Sequence, residues 1–209
     1  MLDEFPIKFK ENETVAKPAT SDMFDSVDEK YLDDDQRELF HRTTAKALFL
    51  CKRARPDTQP IVLVLCTRVK KPTEKDFEKL VRMMKYLSST KNDVMTLSAE
   101  NGISTIEWHI DASFAVHPDF RSHTGATMRF AGGKGCPIQN SAKQKLNTNS
   151  STTSELVAVD QALPLVLWVP LFLEAQGHKI KENIVYQDNM STILLEKMVK
   201  RAVENGRVH

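Results

Sequence analysis

The sequence predicts a mixed α/β chain: a small block of three helices, then a strand-rich half in which one long helix crosses between strands of a single sheet. Three observations carry this. Before Gly102 apolar residues recur at three- and four-residue steps, whereas after it short β-branched runs take over. Gly132-Gly133-Lys134-Gly135 stands between two such runs and supplies a turn. A long apolar stretch, residues 150–177, then lies between the last of these strands and a further short one. The expected organisation is a polar, flexible lead-in over 1–34, a helical segment over 35–92, and an α/β domain over 103–209, with 91–102 as the join.

Composition narrows the classes. A chain of 209 residues with 41% hydrophobic and 27% charged residues can bury a core and reads as an ordinary globular protein. Net charge is +1, so a nucleic-acid partner would be met by a local patch and not by a global field. Cys51, Cys66 and Cys136 are odd in number and form no C-x-x-C pair, which suits reduced thiols in an intracellular protein, cytoplasmic or nuclear. Residues 1–20 lack the apolar segment of a secretory leader. The apolar run 162–173 is broken by Pro164 and Pro170 and falls short of the ~20 residues of a membrane span, so a buried, kinked helix is expected and no membrane partner.

In chain order, the acidic run around Asp22, Asp25, Asp28 and Asp33 to Asp35 reads as solvated. Within it Tyr31-Leu32-Asp33-Asp34 matches the Y-x-D-D pattern of polymerase sites but lacks the flanking hydrophobic strands of a hairpin, so it reads as the approach to a helix. Residues 35–53 are that helix, with Leu39, Phe40, Thr43, Ala47, Leu48 and Cys51 at helical spacing. Residues 60–69 are apolar and β-branched, and composition leaves helix and strand open. Residues 72–89 form the clearest helix, with Thr73 as cap and Phe77, Leu80, Val81, Met84 and Leu87 on one face. Lys75, Lys79, Arg82 and Lys85 fall on the other, with Arg68, Lys70 and Lys71 just upstream. That stripe is either a solvated face or a phosphate-contacting one. Strands are expected over 105–114, 124–131, 135–141 and 183–187, and a final helix over 191–201.

Three carboxylates stand out. Asp111 ends one strand, Asp188 follows another, and Glu155 lies in the first turns of the intervening helix. If the two strands pair in parallel with that helix as crossover, all three meet at one edge of the sheet. Oxygen ligands of this kind suit Mg²⁺, and two such ions cleave phosphodiesters without a side-chain nucleophile. Taken singly, each acid also has an ordinary role: a turn former, an exposed first-turn acid, an Asx turn. His41, His109, His117, His123, His178 and His209 show no H-x-x-x-H pairing for zinc, and Ser113 and Ser154 no G-x-S-x-G frame for a serine hydrolase.

Five ordered motifs then resemble one family. Asp111-Ala112-Ser113, Arg121-Ser122-His123-Thr124-Gly125, Lys143-Gln144-Lys145, Ser150-Ser151-Thr152 with Glu155, and Gln187-Asp188-Asn189 are similar to the ribonuclease H region of copia-type retrotransposon polyproteins. Upstream, Arg55-Pro56-Asp57 and Lys85-Tyr86-Leu87 with Thr90-Lys91 resemble the segment joining reverse transcriptase to that region. The resemblance implies a ribonuclease H-like fold and cutting of the RNA strand of an RNA–DNA hybrid. It implies Asp111, Glu155 and Asp188 as ligands of two Mg²⁺ ions, with Mn²⁺ as substitute, and a helix over 60–69. It also implies hybrid contacts by Arg68, Lys70, Lys71, Lys75, Lys79, Arg82, Lys85, Lys143 and Lys145, and the rest of a reverse transcriptase polyprotein as partner. Thr153 replaces the family's usual Glu. The family continues past a final His into a further strand, a fourth carboxylate and a closing helix, so the resemblance implies a C-terminally incomplete domain. The alternative is a catalytically inactive fragment that at most binds nucleic acid.

Overall fold

The computed structural model describes residues 1–10, 12–25, 30–195 and 197, in two compact units that meet between Met95 and Thr96. The first holds helices α1 (Asp34–Cys51), α2 (Gln59–Arg68) and α3 (Glu74–Ser89). Asp33 starts α1 by accepting the Gln36 amide at 2.8 Å, so the Y-x-D-D pattern is a helix cap. Thr73 and Asp76 start α3 with a reciprocal capping box. The ambiguous run at 60–69 is α2, and Ile61, Val62, Val64 and Leu65 are buried, as fits a helix packed on its neighbours.

Arg55, Asp57, Tyr86 and Thr90 tie the end of α1 to the end of α3. The Arg55 guanidinium meets Asp57 at 2.7 Å and donates to the Thr90 carbonyl at 3.0 Å, while the Tyr86 hydroxyl donates to Asp57 at 2.8 Å. The resemblance motifs upstream of the α/β half are thus one interlocked cluster. The lead-in differs from expectation. Phe5 is 2% exposed and stacks between Phe9 and Phe77, and Met1 and Leu2 join the same core. A few apolar residues that cannot fold alone are enough to attach to a core that three helices have already made.

The second unit is a four-stranded sheet, β1 (Thr105–Ser113), β2 (His123–Phe130), β3 (Ile138–Lys143) and β4 (Glu182–Tyr186), in the order β3-β2-β1-β4. β1–β2 and β2–β3 are antiparallel, and β1–β4 is parallel with Trp108 opposite Val185. Helix α4 (Ser151–Ala175) makes the crossover. Alternation along β1 buries Ile106, Trp108 and Ile110 against Ala158, Ala162, Val166 and Val169 of α4. β3 begins three residues later than its composition suggests, because the glycine turn packs under residues 96–98. A Cβ on Gly133 would lie 2.2 Å from the Ser98 carbonyl, and one on Gly135 2.5 Å from that of Thr96.

Both prolines lie inside α4, which continues through them. Pro170 has no N–H for the Val166 carbonyl, and the Asn183 amide of β4 donates to that carbonyl instead, at 2.8 Å. The same Asn183 accepts the Trp108 indole N–H at 3.0 Å. The expectation of a buried helix holds for one face only: Leu163, Leu167, Trp168, Leu171 and Phe172 are exposed. Among the described residues α4 is the one helix long and apolar enough to cross a membrane, and here one face of it packs on the sheet. After β4, residues 190–195 and 197 are helical. The rest of the helix expected over 191–201, together with Glu11, residues 26–29 and the last residues to His209, falls outside the described residues.

Candidate metal centre

The parallel ladder between β1 and β4 ends at His109 opposite Tyr186. Beyond it β1 runs on to Ser113 while the other chain turns away through Gln187, Asp188 and Asn189. The opening left between them is where the three acids meet. One carboxylate oxygen from each of Asp111, Glu155 and Asp188 lies within 4.8 Å of the others. Opposite ligands of an octahedral Mg²⁺ stand about 4 Å apart, so modest side-chain adjustment closes this set on an ion. The donors are all hard oxygens, which suits Mg²⁺ or Mn²⁺ and not a thiophilic metal.

Each acid is held by a local cause. Asp111 lies on the polar alternate of β1, exposed, and accepts the Ala112 amide at 2.8 Å. Glu155 is 5% exposed, one turn into α4, whose start is fixed by Ser150 capping the Thr153 amide at 3.1 Å. Fully buried Gln144 locks that turn to the sheet, donating to the Ser154 carbonyl at 2.9 Å and to Thr124 at 3.0 Å. Glu155 Oε1 accepts the Ala112 N–H at 3.2 Å, and Oε2 accepts the Gln187 amide at 3.2 Å. Burial pushes the Glu155 carboxyl up, and the neighbouring Asp111 carboxylate pushes the same way, against the two hydrogen bonds. Among the described residues no Lys or Arg pairs with any of the three acids. Among the described residues, then, no basic side chain balances the negative charge of this cluster.

The expected nucleic-acid contacts fare unevenly, and each belongs to its own unit. Lys70, Lys71 and Lys145 are exposed. Lys75 pairs with Glu78, Lys85 with Glu13, and Lys143 with Asp119 at 2.7 Å. Arg68 donates to the Phe24 carbonyl at 3.3 Å, and Arg82 is half-buried. Lys79 departs from the expected exposed stripe. It is 7% exposed, with its ammonium on the carbonyls of Asp25 at 2.7 Å and Met23 at 3.3 Å. Residues 23–25 fold across that side of α3, so helical spacing alone misplaced it.

Two features escaped sequence reasoning. Gln187 stood in a recognised motif with no role, and its contact with Glu155 spans residues too distant for any spacing rule. Buried His117 and His123 meet at 3.0 Å, and His123 meets Ser141 at 2.7 Å, so two histidines with no metal spacing in sequence form a chain across β2 and β3.

The chain is 30% identical over 144 residues, 68% of its length, to the retrovirus-related Pol polyprotein from transposon TNT 1-94 of Nicotiana tabacum. It is 29% identical over 143 residues to the retrovirus-related Pol polyprotein from transposon RE1 of Arabidopsis thaliana. It spans about a tenth (10%) of the length of each of these relatives. No family model matches the chain, and no solved structure does. Over two thirds of its residues, then, the chain is similar to a stretch of plant retrotransposon Pol polyproteins.

Proposed function

We propose that the second unit is a ribonuclease H-type centre, which hydrolyses the RNA strand of an RNA–DNA hybrid during reverse transcription of a retrotransposon. The observation that carries this reading is the convergence of Asp111, Glu155 and Asp188. The similarity to Pol polyproteins favours it over other uses of an acidic cluster. Asp111, Glu155 and Asp188 would hold Mg²⁺, two ions or Mn²⁺ in their place. When bound, the metal supplies an activated water and charge stabilisation at the phosphate. The chain's own part is positional: β1 and the turn after β4 present two exposed carboxylates, and α4 adds a third that is shielded from water. A hybrid, A-like in shape, would be recognised through backbone and 2′-hydroxyls; of the expected contacts in the same unit, Lys145 is exposed and Lys143 would have to leave Asp119. The partners are the hybrid and the remainder of a Pol polyprotein, and the setting is the cell interior.

The test is incubation of a labelled RNA–DNA hybrid with the chain and Mg²⁺, beside Asp111→Asn. Cleavage of the RNA strand by the wild type, falling to background in the variant and on chelation, is the expected outcome. Equal background signal from both proteins would remove the nuclease reading and leave a chain that at most binds nucleic acid.

A further inference from the structure

Gln187 and Asn189 flank Asp188, and each is tied down. The Gln187 carbonyl oxygen accepts the Asn189 backbone N–H at 2.9 Å, and the Asn189 side-chain oxygen accepts the Thr192 N–H at 3.1 Å, at the start of the helical residues 190–195. The Thr192 hydroxyl in turn donates to the Thr152 carbonyl in the first turn of α4 at 3.4 Å. A backbone N–H can only donate, so it fixes which end of the Gln187 amide faces which way. The NH₂ end is left pointing at Glu155, 3.2 Å from Oε2.

We infer that Gln187 is a positioning residue for the metal centre: it holds the Glu155 carboxylate in the orientation that aims its remaining lone pairs at Asp111 and Asp188. This rests on the cation reading of the site. A carboxylate offers about four lone-pair directions. The Ala112 N–H takes one on Oε1 and Gln187 takes one on Oε2, each from the protein side. An oxygen of the same carboxylate lies within 4.8 Å of one from each of the other two acids. Because Gln187 adjoins Asp188 in sequence, one amide sets the spacing of two ligands, from α4 and from the turn after β4, that no backbone ladder joins. Residues that orient metal ligands in this way change affinity about 10–100-fold when removed.

The experiment is Mn²⁺ binding, followed by electron paramagnetic resonance, to the whole chain as wild type, Gln187→Met, Glu155→Gln and the double variant. Methionine matches glutamine in length and lacks the amide; Gln187→Leu serves if the methionine variant fails to give a native circular dichroism spectrum. The expected result is Mn²⁺ affinity at least about tenfold weaker in Gln187→Met, with no further loss when the same change is made in Glu155→Gln. Equal affinity of wild type and Gln187→Met would overturn the role of Gln187. So would the same loss with and without Glu155, because the effect would then not pass through that carboxylate. A wild type that binds no Mn²⁺ would instead remove the metal reading beneath it.

Discussion

His123 shows how much one residue owes to its surroundings. Burial pushes its ring down to about 4 from an ordinary 6.5. The folded form therefore keeps the ring neutral between those values while the unfolded chain takes up a proton. Stability is present in full above 6.5 and is lost as pH falls toward 4, amounting to about 2 kcal/mol between pH 7 and pH 4.5. Urea unfolding at the two pH values should show that loss in the wild type and a shallower one in His123→Gln; parallel slopes would mean that His123 is not the group responsible. At this scale the sequence was informative about identity and silent about partners. Asp111, Glu155 and Asp188 could be singled out because each sits at the end or start of an element, where ligands are rigid. Lys79 was misplaced because a helical wheel treats one side as water, whereas segment 23–25 covers it. Gln187 and the His117–His123 pair depend on contacts between strands and loops that no local pattern encodes.

Among the elements, those with strong periodicity or a cap were readable: α1, α3, β1 and β2 lie within a residue or two of expectation. α2 was not readable from its pattern, since an apolar run of ten residues fits a buried strand as well as a buried helix; the helix implied there by the resemblance is the one found. The prolines of α4 do not split it, for a related reason. A missing N–H need not break a helix when another donor reaches the bare carbonyl, and Asn183 does so at Val166. Asn183→Leu strips a partner from that carbonyl and from the indole of Trp108, which is 1% exposed. Each loss leaves a buried polar group unmet, so the variant should be about 3 kcal/mol less stable. Denaturation followed by tryptophan emission measures this, and a change within about 0.5 kcal/mol, the size of an ordinary surface substitution, would show both bonds to be dispensable.

The molecule as a whole divides where composition changes, though the boundary lies inside the expected join and the first unit extends back to Met1. Residues 90–104 contain neither helix nor strand, and Lys91 to Val94 are exposed. Limited trypsin treatment should therefore cut at Lys91 before Lys8 or Lys10, which adjoin the packed Phe5 and Phe9. Earlier cutting at Lys8 or Lys10 would show that the first ten residues are loosely attached. The Asn183 rung has a consequence in time as well as in stability. It joins positions 17 residues apart, so while a ribosome has yet to deliver Asn183 the far half of α4 waits with an open carbonyl. The segment that finishes the helix is the same one that carries Asp188 into place. In a newly made chain, then, the partner of the Val166 carbonyl and the carboxylate of Asp188 emerge within a few residues of each other.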